Sequence, residues 1–325
     1  MAIDKPAHLL IKSFVLCCFI SLPAVAEEDA IRIGNDPQLF VDDYLVASIE
    51  SLQRIDHQAV KLNGGKPIFT GGKFYGTVLH DQGKFKMWWR HKDLSGYSYA
   101  ESNDGISFET KAKISGIRYA GDVNLAVEVD PNSPTTASRY IAGFDAPGMS
   151  AGIAVSPDGI KWTALNDGKR VTHRAADTYN QILWDPKARH YKLFTRTDFG
   201  SAGGNGEVRG HRVMTNPNPH DDPENWSLQR EWIFDKQGAS EIQRRQIYAL
   251  TDWIYHGQHF ALMNVYEHID DFSEGGQSKL ARHDKDIMNV YLGTSRDGVN
   301  WDDRLVYEQR PLIPRCLLYT SPSPR

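Results

Sequence analysis

The stretch Ser102-Asn103-Asp104-Gly105-Ile106-Ser107-Phe108 decides the fold, because its pattern returns twice further along the chain. The copies are Ser156-Pro157-Asp158-Gly159-Ile160-Lys161-Trp162 and Ser295-Arg296-Asp297-Gly298-Val299-Asn300-Trp301. Each follows a short strand-like run and predicts a tight turn, since glycine accepts a positive φ and aspartate caps the turn. We therefore predict that these residues build turns and are not catalytic groups. A fourth, distorted copy is predicted at residues 213–226.

The segments between these turns repeat as well. Four segments are each predicted to form a strand, a turn and a second strand: residues 78–90, 125–143, 181–196 and 249–265. Two hairpins then make a unit of roughly 40 to 60 residues, which is typical of propeller blades. Helical periodicity is almost absent after residue 27, so we expect few helices. A β-sandwich is the alternative, but its strands are not expected to return one turn sequence in the same half of every unit.

Composition narrows the class of protein. The chain has 40% hydrophobic and 24% charged residues, which is typical of a globular protein. A net charge of −4 argues against a nucleic-acid partner. Three cysteines exclude a disulfide scaffold or a cysteine zinc site, and the histidines show no metal-ligand spacing. We therefore predict no cofactor and no metal.

Residues 1–26 are predicted to be an export signal. Lys5 and Lys12 precede a short apolar run, and Ala24-Val25-Ala26 matches the cleavage pattern. A buried N-terminal helix is the alternative. We expect a secreted or periplasmic protein without a membrane segment after cleavage, with a lead-in and closing strands at 27–73 and blades at 74–314.

Three segments and the opening of the chain resemble a known superfamily. The sequence is similar to the five-bladed propeller glycosidases of glycoside hydrolase families 43 and 32, and more closely to an exported bacterial branch of them. The resemblance covers residues 38–314 and rests on residues 39–45, 85–90, 99–105 and 184–186. It implies an all-β five-bladed propeller, a carbohydrate substrate and a monomer. Sialidases are less similar, because their Asp-box has one more residue between Asp and Gly.

The end of the chain departs from that family. Relatives would continue into a last blade, whereas residues 316–325 read as a translated adapter sequence. We therefore expect residues 315–325 to be non-native, the chain to be truncated, and four blades to be recognisable with the last one missing.

The resemblance also points to catalytic residues. Its members place three acidic residues on successive innermost strands, and a glycosidic bond is cleaved between two carboxyl groups. Asp122, Asp177 and Glu241 occupy the matching blade positions in this sequence. The alternative is that Asp122 and Asp177 cap strand ends through hydrogen bonds.

Further polar and aromatic residues stand where a channel mouth is expected. Amide, guanidinium, imidazole and aromatic groups suit a sugar ring, although each residue is equally suited to a solvated rim. The predicted substrate-binding residues are Asn124, Asn180, Trp89, Arg90, His91, Arg196, Tyr248, Glu267 and His268. Asp42 and Asp43 are either the first-blade acid or part of a closing strand.

These observations predict an exported glycoside hydrolase that cleaves a poly- or oligosaccharide by carboxylate acid/base catalysis. A non-catalytic carbohydrate-binding propeller is the alternative from another class. A propeller that serves as a protein-interaction platform is a third, but it would have few carboxylates at its mouth.

Overall fold

The computed structural model describes residues 31, 33–35, 37–55, 57–70, 72–91, 93, 95–117, 124–148, 150–172, 179–199, 208–234, 245–268 and 286–313. The chain divides into two units, Met1–Gln38 and Leu39–Arg325. Every strand of the described residues lies in the second unit. The helical content of the described ranges is small: three 3-10 turns and one short α-helix at Arg304–Tyr307. No helix within these ranges is long and apolar enough to cross a membrane.

Four antiparallel sheets of four strands follow one another along the chain, and strands pair in sequence order. Blade 1 contains β1 (Gly72–Asp81), β2 (Lys84–His91), β3 (Tyr97–Ser102) and β4 (Glu109–Lys113). Blade 2 contains β5 (Leu125–Val129), β6 (Tyr140–Ala146), β7 (Ser150–Ser156) and β8 (Thr163–Ala164). Blade 3 contains β9 (Gln181–Asp185), β10 (His190–Phe199), β11 (Val208–Asn216) and β12 (Ser227–Trp232). Blade 4 contains β13 (Arg245–Tyr255), β14 (Gln258–His268), β15 (Asp286–Ser295) and β16 (Trp301–Asp302).

Hydrophobic cores lie between successive blades. Trp88 and Tyr99 of blade 1 pack against Leu125 and Phe144 of blade 2. Two further clusters join blade 2 to blade 3 and blade 3 to blade 4. This arrangement is a β-propeller with four blades, which confirms the all-β propeller prediction and excludes the sandwich. The fifth blade and the missing last blade stay predictions.

The Ser-x-Asp-Gly segments are turns, as predicted. In the second copy, the N–H groups of Ile160 and Lys161 both donate to Asp158 Oδ1 at 2.8 Å, and the Gly159 N–H donates to Ser156 Oγ at 2.9 Å. Gly159 has φ 75°, a conformation that side-chain-bearing residues rarely adopt. The other two copies repeat these contacts, so the motif is structural.

A recurring hydrogen bond joins successive blades. An aspartate at the end of the innermost strand contacts a polar ring on the second strand of the next blade. The three pairs are Asp81 with Tyr140 at 2.6 Å, Asp130 with Tyr191 at 2.9 Å, and Asp185 with His259 at 3.2 Å. We call these contacts the interblade hydrogen bonds. They lie at the end of the blades that also carries the Ser-x-Asp-Gly turns, and we call the opposite end the mouth.

Candidate functional site

The three predicted catalytic residues precede the described part of their strands. Asp122, Asp177 and Glu241 lie outside the described residues, so their roles stay predictions. Asn124 and Asn180 follow the first two of them closely, and both are described.

Asn124 and Asn180 form a buried pair at the mouth end of blades 2 and 3. The Asn180 backbone N–H donates to Asn124 Oδ1 at 3.2 Å, and both residues are almost completely buried. Within the described ranges, Asn124 Nδ2 and both polar side-chain atoms of Asn180 lack a hydrogen-bond partner. An unsatisfied buried polar group costs about 1–3 kcal/mol. Two adjacent amides with unused donors and an unused acceptor have the hydrogen-bonding groups that a hydroxyl could pair with.

The next predicted residues occupy both faces of β2. Arg90 is buried and shares its face with Trp88, towards blade 2. Trp89 and His91 lie on the opposite face, where the His91 ring nitrogens contact Ser95 Oγ at 3.0 Å and Ser98 Oγ at 2.7 Å. An open groove of about 670 Å³ runs along that face, so Arg90 is separated from its two neighbours.

Arg196 and Tyr248 are brought together. The Arg196 guanidinium lies 5.4 Å from the centre of the Tyr248 ring. Tyr248 meets Tyr266 at 4.9 Å between ring centres, and Arg209 lies 5.3 Å from the Tyr266 ring. The sequence prediction missed Arg209, although it stands near the mouth end of its strand, whereas Tyr266 stands beside the predicted residue Glu267 in a strand end that was expected at the mouth. The four side chains form a row with the two tyrosines in the centre and one arginine at each end. Such a row suits a sugar ring.

The last two predicted residues lie at the mouth end of β14. Glu267 accepts hydrogen bonds from Tyr291 Oη and, at 2.8 Å, from Asn289 Nδ2. Both partners lie on β15 of the same blade, so these two hydrogen bonds connect neighbouring strands of blade 4. The His268 side chain lies outside the described residues.

The channel is filled below the mouth. Thr77 Oγ1 of blade 1 lies 3.0 Å from the hydroxyl of Tyr179, and Tyr179 packs on Ala126 and Ala249. These contacts join all four blades near the axis. A ligand that enters from the mouth therefore meets this layer as a floor.

Glu128 on β5 is a channel carboxyl that the sequence prediction missed. Its Oε1 accepts a hydrogen bond of 2.7 Å from Gln181 Nε2, whose amide is fixed in turn by the backbone of Asp252. Burial raises the pKa of Glu128 to about 8. The only available signal was a single acid in the apolar run Leu125–Val129.

Asp42 lies far from the mouth. Its carboxylate contacts Arg296 at 2.6 Å in the turn after β15, and Gln258 Nε2 lies 3.4 Å from Oδ2. This placement favours the closing-segment interpretation over the first-blade acid. In the part of the chain that the structure describes, no group of three or more His, Cys, Asp or Glu side chains is arranged to hold a metal ion.

Known proteins share this fold at low sequence identity. No protein-family model matches the sequence, and no curated protein matches it. A thermostable family-43 glycoside hydrolase superposes with a TM-score of 0.51 at 10% identity, over 74% of this chain and 73% of that chain. An endo-arabinase from Bacteroides thetaiotaomicron gives 0.45 at 11% identity, over 68% of this chain and 74% of that chain. The family-43 match shows a common fold, and the fold component of the predicted resemblance is confirmed.

Proposed function

We propose that this protein is an exported glycoside hydrolase that cleaves a poly- or oligosaccharide with carboxylate groups at the mouth of the propeller. The observation that carries the proposal is the Asn124–Asn180 pair, whose unused amide atoms lie at the starts of two innermost strands. Amides that can donate and accept are suited to sugar hydroxyl groups. The fold supports the same conclusion, since the family-43 glycoside hydrolase shares it.

Asp122, Asp177 and Glu241 are the proposed acid, base and assisting carboxylate. In the sequence they precede the innermost strands of blades 2, 3 and 4, with Asp122 shortly before Asn124 and Asp177 shortly before Asn180. Two carboxyl groups that flank a glycosidic bond are sufficient for acid/base cleavage. Sugar binding is assigned to Asn124, Asn180, Arg196 and Tyr248, together with Arg90.

We also propose that the ring contains a fifth blade, between blades 4 and 1. The interblade hydrogen bonds occur at three joints. At the remaining face of blade 4, the position equivalent to the aspartate is Tyr255, and at the remaining face of blade 1, the position equivalent to the ring is Phe85. A ring closed by one further repeat of roughly 50 residues should be a soluble monomer, whereas blades 1 to 4 alone should expose two blade faces and aggregate. Monomeric behaviour and a cooperative thermal transition of blades 1 to 4 alone would contradict the five-blade count.

The test of catalysis measures sugar release from a panel of polysaccharides by the full-length protein and its variants. Asp122→Asn, Asp177→Asn and Glu241→Gln should each lower turnover by about 10²-fold or more while the thermal transition is kept. Asp167→Asn is the matched control, because this side chain is 90% exposed and follows the outermost strand of blade 2. Full activity in all three variants would remove these residues from the mechanism.

A non-catalytic carbohydrate-binding propeller is the second candidate, since the asparagine pair serves binding as well as catalysis. Affinity electrophoresis in gels that contain each polysaccharide separates the two functions. Retardation of the wild-type protein without sugar release would favour the binding module. In that case Asn180→Ala should abolish the retardation.

A further inference from the structure

A buried cluster of four ionisable side chains lies at the joint between blades 3 and 4. Lys192 Nζ lies 2.5 Å from Asp185 Oδ2, and His259 Nε2 lies 3.2 Å from the same oxygen. On its other side, His259 Nδ1 lies 2.7 Å from Asp252 Oδ2. All four side chains are almost completely buried. His259 therefore sits between two carboxylates that water cannot screen.

The same position differs at the other two joints. Tyr140, Tyr191 and His259 occupy equivalent positions on the second strands of blades 2, 3 and 4, and each contacts an aspartate of the preceding blade. A tyrosine stays a neutral donor through the physiological range, and burial and the neighbouring carboxylates raise the pKa of Tyr191 further. Histidine is the side chain whose charge changes near neutral pH. The joint between blades 3 and 4 is thus the one whose interblade hydrogen bond is itself made by a histidine, whereas at the joint between blades 2 and 3 the histidine, His220, contacts the aspartate beside the tyrosine.

The surroundings hold the His259 ring in place. Asp185 faces it from β9, Lys192 from β10 and Asp252 from β13. The turn after β15 closes the remaining side: a Cβ on Gly298 would lie 2.8 Å from His259 Nδ1, and the Trp301 ring centre lies 6.3 Å away. The Asp297 carboxylate of that turn binds the N–H groups of Val299 and Asn300. Lys192 also donates to the Asp297 backbone carbonyl, so the cluster ties the turn of blade 4 to blade 3.

The charges of this cluster balance in one protonation state. Protonated His259 and Lys192 compensate ionised Asp185 and Asp252. Burial opposes the imidazolium, but the hydrogen bonds to Asp185 and Asp252 outweigh it and raise the pKa of His259. Burial raises the pKa of Asp252, so its ionised form depends on the neighbouring His259 proton. Loss of that proton leaves Asp252 with a buried, uncompensated charge, and within the described ranges its Oδ1 has no hydrogen-bond partner. Removing the charge of one partner in a buried ion pair strongly destabilises the folded protein.

We propose that His259 is a proton-dependent clamp between blades 3 and 4. Protonated His259 holds the joint closed, and loss of its proton as pH rises loosens this joint while the joint between blades 1 and 2, which Tyr140 makes, stays unchanged. A change of pH thereby acts on one face of the blade that contributes Tyr248 and Tyr266 to the mouth.

The test compares the full-length wild-type protein with His259→Gln, which keeps a donor without the charge, and His259→Tyr, which installs the group of the other joints. Unfolding equilibria are measured from pH 6 to pH 9. A group whose pKa is raised on folding stabilises below its unfolded value, and this contribution is lost as pH rises through the folded value. The wild-type unfolding constant should therefore rise by up to roughly tenfold per pH unit relative to both variants.

Tyr140→Phe is the matched control, because it weakens the joint between blades 1 and 2, where Asp81 contacts Tyr140, Lys86 and Arg139, none of which is a histidine. It should lower stability equally at every pH in this range. Amide exchange, corrected for intrinsic rates, should increase with pH in β9 and β14 of the wild-type protein and stay constant in β5.

Equal pH slopes for the wild-type protein and His259→Gln would overturn the proposal. If neither His259 variant folds, hydrogen exchange at the imidazole C2 position of the wild-type protein decides the question by mass spectrometry. A titration midpoint of His259 above about 6.5 supports the clamp, and a lower midpoint overturns it.

Discussion

The hydroxyl of Tyr191 donates to both carboxylate oxygens of Asp130 at 2.9 Å, and so joins blade 3 to blade 2. His220 Nε2 lies 2.8 Å from Asp130 Oδ2, so the carboxylate is held from two sides. The contact is buried, and its counterparts at the neighbouring joints occupy equivalent positions. Successive blades are therefore joined by a hydrogen bond of fixed position in addition to the apolar cores.

Tyr191→Phe should lower the free energy of unfolding by about 1–3 kcal/mol, because it removes the donor and leaves a buried carboxylate under-satisfied. Chemical denaturation at neutral pH measures the change. Tyr255→Phe is the control: its ring is 54% exposed, and the substitution should change stability by less than about 0.5 kcal/mol. Equal effects of the two substitutions would contradict the structural role of this contact.

Gly159→Ala should destabilise the protein more than Gly257→Ala. Both glycines have positive φ, at 75° and 73°, so both alanines are strained. A Cβ at Gly159 would also lie 2.6 Å from Cζ2 of Trp88, whereas no atom lies within 4 Å of one at Gly257. The difference in unfolding free energy should be about 1–3 kcal/mol, the usual cost of overpacking. A ligand-binding defect in folded Gly159→Ala protein would contradict a purely structural turn.

Glu128→Gln should remove a pH dependence of stability. Burial raises the pKa of Glu128 to about 8 in the folded protein, against 4.5 in the unfolded chain. Between these values the folded state binds a proton that the unfolded state has released, so wild-type stability falls as pH rises from about 4.5 to about 8. Relative to the variant, this fall should be visible in urea denaturation midpoints across that range.

The control for Glu128 is Glu109→Gln, whose carboxylate is 76% exposed. Its stability should follow the wild-type curve at every pH. A Glu128→Gln curve parallel to the wild-type curve would show that Glu128 is ionised in the folded protein.

His211→Phe should protect the protein from acid. His211 is fully buried, stacks on Phe194 and meets the Trp232 ring edge-on. Burial lowers its pKa to about 3, from 6.5. Stability contributed by the neutral ring is therefore lost as pH falls from about 6.5 to about 3, because only the unfolded chain gains the proton there. Thermal transitions between pH 3 and pH 7 should be less pH-dependent in the variant, while exposed His57→Gln should match the wild-type protein.

Local sequence patterns are sufficient to predict the propeller, its four recognisable blades and its turns. The reason is local: a Ser-x-Asp-Gly turn depends on the φ that glycine permits and on hydrogen bonds within six residues, such as Ser156 Oγ to the Lys161 carbonyl at 2.6 Å. Repetition of that local chemistry at blade spacing is sufficient to predict the fold. The same reasoning predicts the two hairpins that turn at Gln82–Gly83 and at His256–Gly257. All four turn residues have positive φ.

Only the tertiary structure decided which side chains meet. Asp185 and His259 are 74 positions apart, and no local preference connects them. Burial is likewise a property of the assembled blades, so a single acid in a strand shows neither that it faces the channel nor that its pKa is raised, as burial raises that of Glu128. The separation of Arg90 from Trp89 and His91 has the same origin, because alternate side chains of β2 point to different neighbours. Contacts between distant residues arise from packing, which local sequence patterns do not encode.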